Sequence, residues 1–247
     1  MRSIAALYNT LYLSTSTDPN GYSIMECASF MAGEPRSVTP ACACPVLSTF
    51  ATCSNDALDD AKRQALRPIL LHLATCRASE GAETARLICL FDFVLNIYLP
   101  RVLPDVGRQS LAEQFKDIHA LIASGRIPDA LARANQLLTD LAADDLHPPR
   151  GVRVVDAVAA SEPATVSQAD FFNAMVSLTK ALIAMKAGHR VDATRNLSAV
   201  FHACERRAAR VDALLRMLVV DRQAALDKSD DVLERLAQLV ELAKQPA

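Results

Sequence analysis

Three properties of the chain predict an all-α fold: alanine and leucine dominate, glycines are few, and apolar residues recur at helical rather than alternating spacing. Only seven glycines and no tryptophan occur among 247 residues, of which 51% are hydrophobic and 22% charged. That balance belongs to a globular chain with a sizeable core. Ala and Leu lose least on entering a helix, whereas a β-rich fold would need more glycine turns and more β-branched alternation. The expected architecture is an N-terminal helical bundle, residues 1–104, followed by an array of antiparallel helical hairpins, residues 105–247, the two packing together or apart.

The N-terminal half opens with apolar residues Ile4, Leu7, Tyr8 and Leu11 at helical spacing, then a turn over Thr15 to Gly21. A short helix is expected over Ser23 to Met31, stopping at Gly33, a natural C-cap residue. Glu34 to Pro45 carries three prolines and reads as a loop, and a helix through Val46, Leu47 and Phe50 follows. Asn55 is the expected N-cap of the next helix, with Asp56, Asp59 and Asp60 near its positive end. Pro68 kinks or restarts that helix before Leu70, Leu73 and Ala74. Glu83 to Tyr98 is apolar nearly all round, which predicts a buried helix ended by Pro100, Pro104 and Gly107.

The C-terminal half is a more regular array. Ser110 is the expected cap of a helix bearing Leu111, Phe115, Ile118 and Ile122; Ser124-Gly125 turns it into a partner with Ala130, Ala134, Leu137 and Leu141. His147 to Ser167, with three prolines and a valine-rich patch, reads as a linker or one short strand. Ser167 starts a helix through Phe171, Met175, Leu178, Leu182 and Ile183, and Gly188 breaks it. A long helix is expected from about Val191 toward Asp227. Ser229 caps a last amphipathic helix with Val232, Leu233, Leu236, Leu239, Val240 and Ala243.

An internal echo runs through this half. Ala120-Leu121-Ile122-Ala123 with Gly125, Asp129 and Ala130 is repeated, glycine to glycine, 63 residues later by Ala181-Leu182-Ile183-Ala184 with Gly188, Asp192 and Ala193. Glycine permits the tight reversal, and alanine lets the two helices approach. These segments, within residues 110–142 and 170–204, resemble the helical hairpins of tetratricopeptide repeats over Gly125 to Leu137 and Gly188 to Val200. The aromatic positions of that repeat's first helix and its closing proline are missing. The resemblance implies a protein-binding array, which normally needs three or more repeats. An ordinary antiparallel helical hairpin fits the same residues.

A second resemblance covers roughly the first hundred residues. Gly21-Tyr22-Ser23-Ile24-Met25-Glu26-Cys27, Ala32-Gly33-Glu34-Pro35 and Cys42-Ala43-Cys44-Pro45-Val46 resemble a stretch of bacterial and phage-borne proteins of unassigned function. It implies such a source and no activity.

The net charge of -2 gives no global field toward nucleic acid or an anionic membrane. Residues 1–100 carry seven basic and nine acidic side chains, and residues 101–247 carry nineteen of each, as helices with solvated faces would. The cysteine count is odd, at seven, and the N-terminus has no basic stretch leading into an apolar run. Free thiols in a reducing, cytoplasmic setting are therefore expected. The most apolar stretch, Leu87 to Leu99, is shorter than the roughly 20 residues that span a bilayer, and no membrane partner is expected.

Candidate chemistry is sparse. Cys42, Cys44 and Cys53 with Cys27 upstream lack the paired spacing of a zinc site, so buried thiols acting as small hydrophobes are the simpler reading. His72 and Cys76 stand at i and i+4, where core packing again suffices. Glu26, Glu34 and Asp92 are candidate site acids or structural ion-pair partners, with Arg86 or Arg101 available to Asp92. No cofactor, metal ligand set or catalytic residue is assigned. The leading expectation is a non-enzymatic protein-interaction module, with Leu233, Leu236, Leu239 and Val240 of the terminal helix docking a partner or pairing in a homodimer. The alternative is a nucleic-acid accessory protein that uses Arg195, Arg206, Arg207 and Arg210 of the long helix, although Glu205, Asp212 and Asp221 interrupt that set.

Overall fold

The computed structural model of the chain describes residues 12–77, 79–145, 166–203 and 208–219. Among these there is no strand: the elements are helices, and a lone bridge joins Leu13 to Tyr22. The chain divides into two compact units, Met1–Leu90 with Arg207–Ala247, and Phe91–Arg206. That division lies inside a helix rather than at the prolines near residue 104, because Pro100 does not end the helix that precedes it.

In the first unit, α1 (Ile24–Met31) begins at Ser23, whose backbone N–H donates to Glu26 Oε2 at 2.8 Å. Arg36 returns along the chain to that carboxylate, its Nε 2.6 Å from Glu26 Oε1. The same guanidinium donates to Gly21 O at 2.6 Å and lies over the Tyr22 ring at 4.6 Å. Residues 12–22 are thereby fastened to α1. Gly21 is needed here for space, since a Cβ on it would come within 2.0 Å of Ser14 Oγ.

Helix α2 (Pro45–Ala57) has Pro45 in its first turn, where the missing N–H costs nothing. Asn55, the expected N-cap of the following helix, instead lies inside α2, fully buried, and donates to Ser14 O at 2.8 Å. The next helix, α3 (Asp60–Gln64), is capped by Asp59, which accepts from Lys62 N at 3.0 Å. Asp59, one of the acidic residues expected only near the helix's positive end, takes the cap instead, because Asn55 is drawn into α2. Arg63 is buried and caps the end of α2 from within, donating to Asn55 O at 2.8 Å and to Leu58 O at 2.6 Å. A 3-10 turn at Arg67–Ile69 takes up the restart at Pro68 before the short α4 (Leu70–Leu73). Ile24, Met25, Phe50, Leu70 and Leu73 form the core where α1 packs on α2 and α4.

Helix α5 (Glu80–Asp92) passes without a break into a π-helical turn, Phe93–Tyr98, and then into α6 (Leu99–Val102). A proline ring collides with the carbonyl four residues earlier in a regular helix. The wider π turn relaxes that geometry just ahead of Pro100, so the helix continues where the sequence predicted its end.

The second unit contains two hairpins. After a 3-10 turn at Gln109–Leu111, which replaces the cap expected of Ser110, come α7 (Ala112–Ala123) and α8 (Ile127–Asp145). The second pair is α9 (Gln168–Lys186) and α10 (Arg190–Ala203). Ser167 caps α9 as expected, its Oγ accepting from Asp170 N at 3.1 Å. The two reversals match in detail. Gly125 and Gly188 have φ of 76° and 78°. Arg126 N donates to Leu121 O at 2.8 Å, and His189 N to Ala184 O at 2.9 Å. Ala130 and Ala193, five positions past each glycine, are both fully buried. Helix α9 packs against α8 as well as α10, and Phe115 of α7 meets Phe171 of α9 with ring centroids 6.4 Å apart.

The π turn belongs to the same core. It packs on α7, while Phe93 and Tyr98 hold the ring of Phe201 on α10 at centroid distances of 6.0 and 4.5 Å. The hairpin pair is therefore closed by the π turn, and its inner faces are filled. Beyond α10, helix α11 (Ala208–Val219) belongs to the first unit and packs on α2. The expected single long helix is thus represented by α10 and α11 in different units, with residues 204–207 and the stretch beyond 219 outside the described residues.

Candidate functional site

The N-terminal carboxylates and thiols serve structure first. Burial opposes ionisation of Glu26, yet the Arg36 guanidinium and the Ser23 N–H outweigh it and hold the carboxyl below its ordinary range. Glu34 accepts from Ala41 N at 2.8 Å across the loop. Cys27 is buried, and burial, reinforced by the Glu26 charge, pushes its thiol up to about 12. Cys44 is fully buried at the start of α2, with Cys42 half-buried beside it. Cys76 donates to Leu73 O at 3.2 Å, and burial pushes its thiol up to about 11. Among the described residues no group of His, Cys, Asp and Glu is arranged to hold a metal ion.

Asp92 pairs with neither Arg86 nor Arg101. It faces His119 of α7, with Nε2 3.3 Å from Oδ1, and accepts from Asn96 Nδ2 at 2.7 Å. The chain's turn at the π segment brings α7 alongside, a neighbour that spacing along one helix could not reveal. Arg86 is fully buried and donates to Cys76 O at 2.9 Å.

The Arg-bearing face is not assembled by the residues in view. Arg195 is exposed but paired to Asp192 at 3.0 Å, and Arg210 is 3% exposed, so it belongs to an interior rather than to a nucleic-acid surface. Arg206 and Arg207 lie outside the described residues, as do Leu233, Leu236, Leu239 and Val240 of the terminal helix and the linker-or-strand stretch before Ser167.

The feature that stands out is on α9. Its sequence, QADFFNAMVSLTKALIAMK, is apolar on more than one side. Phe171, Ala174, Met175, Leu178, Ala181 and Leu182 face the interior. A second line at helical spacing, Ala169, Phe172, Val176 and Ile183, faces outward. Ala169 is exposed, Phe172 and Val176 are half-buried, and Ile183 is 52% exposed. A helix apolar all round is ordinarily covered all round; α9 is covered by α8 and α10, but along this stripe only half-covered at Phe172 and Val176 and open at Ile183. At the N-terminal end of the stripe, Phe172 lines a small hollow with Val106, Arg108, Leu141, Gln168 and Phe171, about 10 Å3, room for a water molecule.

Sequence reading placed Ile183 on the core face with Leu182, since two adjacent apolar residues cannot be told apart by period alone. The signal that separates them is the second apolar line itself, Ala169, Phe172, Val176 and Ile183, interrupted between the last two at Thr179 and Lys180. No protein family, no curated protein and no solved structure matches the chain. No described helix is long and apolar enough to cross a membrane.

Proposed function

We propose that the second unit is a non-enzymatic protein-docking module and that the outward stripe of α9, from Phe172 to Ile183, is its contact surface. One observation carries the reading: a helix in the middle of the hairpin pair keeps apolar side chains in water while every neighbouring inner face is filled. A closed core has no inner groove to offer, so a partner must bind an outer face, and this is the outer face that gains most from cover. The matched turns at Gly125 and Gly188 support kinship with tetratricopeptide-type hairpins, turned here to a different surface. The free thiols of the first unit favour a reducing intracellular setting.

The test is affinity capture from source cells with the full chain and with Ile183→Asp. The substitution puts a charge at a position 52% exposed, and circular dichroism and thermal melts of both chains show that the variant stays folded. A partner recovered by the parent and lost by Ile183→Asp supports the proposal. The same partner recovered equally by both contradicts it, and co-purified nucleic acid retained at low salt and shed at high salt would favour the rival reading.

A further inference from the structure

We propose that the outward stripe of α9 takes an acidic amphipathic helix of a partner protein, oriented by Lys180 and Lys186, an inference that rests on the docking reading of that face. Helix geometry sets the apolar line between the two cations. At about 3.6 residues per turn, Phe172, Val176 and Ile183 fall within a sector of about 40°, with Lys180 about 60° to one side of Ile183 and Lys186 about 60° to the other. Ile183 is 52% exposed, and both lysines are exposed. From Phe172 to Ile183 the stripe runs about 16 Å, or about three turns, the length of a short helix laid along it.

Charge names the partner. Exposed cations on neighbouring helices pair with a carboxylate three positions away: Lys116 with Glu113 at 2.8 Å, Arg126 with Asp129 at 2.7 Å and Arg195 with Asp192 at 3.0 Å. Lys180 and Lys186 have no acid three or four positions away on either side, and neither makes an ion pair with a described residue. The two acids of this hairpin are already engaged, Asp170 with Ser167 at the cap and Asp192 with Arg195. The second hairpin, residues 168–203, holds four basic and two acidic side chains, whereas the first, residues 112–145, holds three basic and six acidic. Positive charge is therefore in excess on the hairpin that carries the stripe. The helix dipole accounts for Lys186 in the last turn of α9, and not for Lys180 nearly two turns earlier. Carboxylates on the flanks of a partner helix would meet the lysines while large apolar side chains on its inner face cover Phe172, Val176 and Ile183. A nucleic acid would satisfy the lysines through phosphate and leave the apolar line in water. Rim charges of this kind set encounter rate and choice of partner, and the apolar line supplies the affinity.

The experiment places a benzophenone amino acid at Ile183 of the full chain in source cells and, after irradiation, sequences the peptide joined to it by mass spectrometry. The same cross-linker is carried by Lys180→Glu/Lys186→Glu and by Lys180→Arg/Lys186→Arg, each checked for folding by circular dichroism. The expected product is a partner-protein peptide with more Asp and Glu than Lys and Arg and with apolar residues at helical spacing. Adduct yield should fall about tenfold in the glutamate pair, where two rim charges are reversed, and stay near the parent level in the arginine pair. The peptide linked to the parent chain decides the matter even if the glutamate pair fails to fold. A linked peptide that is neutral or basic, a second copy of this chain as the linked protein, or a yield unchanged in a folded glutamate pair overturns the acidic partner and leaves the docking surface standing. No adduct from position 183, or adducts to nucleic acid or lipid in place of protein, overturns both.

Discussion

Gly125 and Gly188, 63 residues apart, hold the same left-handed conformation and close the same reverse hydrogen bond, Arg126 N to Leu121 O and His189 N to Ala184 O. Neither has an atom within 4 Å of where a Cβ would stand, so conformation and not space demands glycine. Gly125→Ala and Gly188→Ala should each destabilise the chain by about 1 kcal/mol, the cost of a left-handed residue bearing a Cβ. Urea unfolding followed by circular dichroism checks this, and the two costs should agree because the turns do.

Phe201 is the residue on which the second unit closes. Phe201→Ala removes a ring held by both Phe93 and Tyr98 and should cost about 3–5 kcal/mol. Tyr98→Phe keeps the ring and removes the hydroxyl, whose hydrogen bond to Phe201 O is long at 3.5 Å, and should cost about 1 kcal/mol. Thermal melts of the two variants separate packing from hydrogen bonding.

Glu26 makes acid stability depend on Arg36. The folded carboxyl titrates below the ordinary glutamate value, so the stabilisation it contributes is present above that value and is lost as pH falls through the lowered one. Arg36→Met should therefore be less stable than the parent at pH 7, and the gap should narrow at acid pH once Glu26 is protonated in both, leaving the part due to the bond to Gly21 O and the Tyr22 ring. Urea midpoints measured from pH 3 to pH 7 test the sign. A gap that widens toward acid pH would show that another group dominates.

Ser48 is 1% exposed on α2, and its hydroxyl has no hydrogen-bond partner among the described residues. A buried hydroxyl left unmatched costs free energy, and alanine is the better helix former. Ser48→Ala should raise stability by about 1 kcal/mol, measurable as a higher urea midpoint at unchanged slope.

The helices were legible because burial writes the apolar period directly into the chain: α1, α9 and the Gly125 and Gly188 hairpins fall where periodicity and turn chemistry put them. What periodicity missed depends on neighbours distant in sequence. Asp92 finds His119 because α7 packs beside the π turn, and no spacing along α5 encodes that. The π turn was hidden because Pro100 reads as a helix stop unless the turn before it is known to be wide. Arg210 reads as surface charge, whereas on α11 it is buried. The outward stripe of α9 was obscured by the inward one, since an apolar line reads as core until a structure shows how much of it is left exposed.

The most direct test of the docking surface is photo-cross-linking in source cells, with a benzophenone amino acid placed at Ile183 on α9 or at Ala132, an exposed position on α8. The account predicts a discrete protein adduct from position 183 and none from 132. No adduct from 183, or the same adducts from both positions, would contradict it.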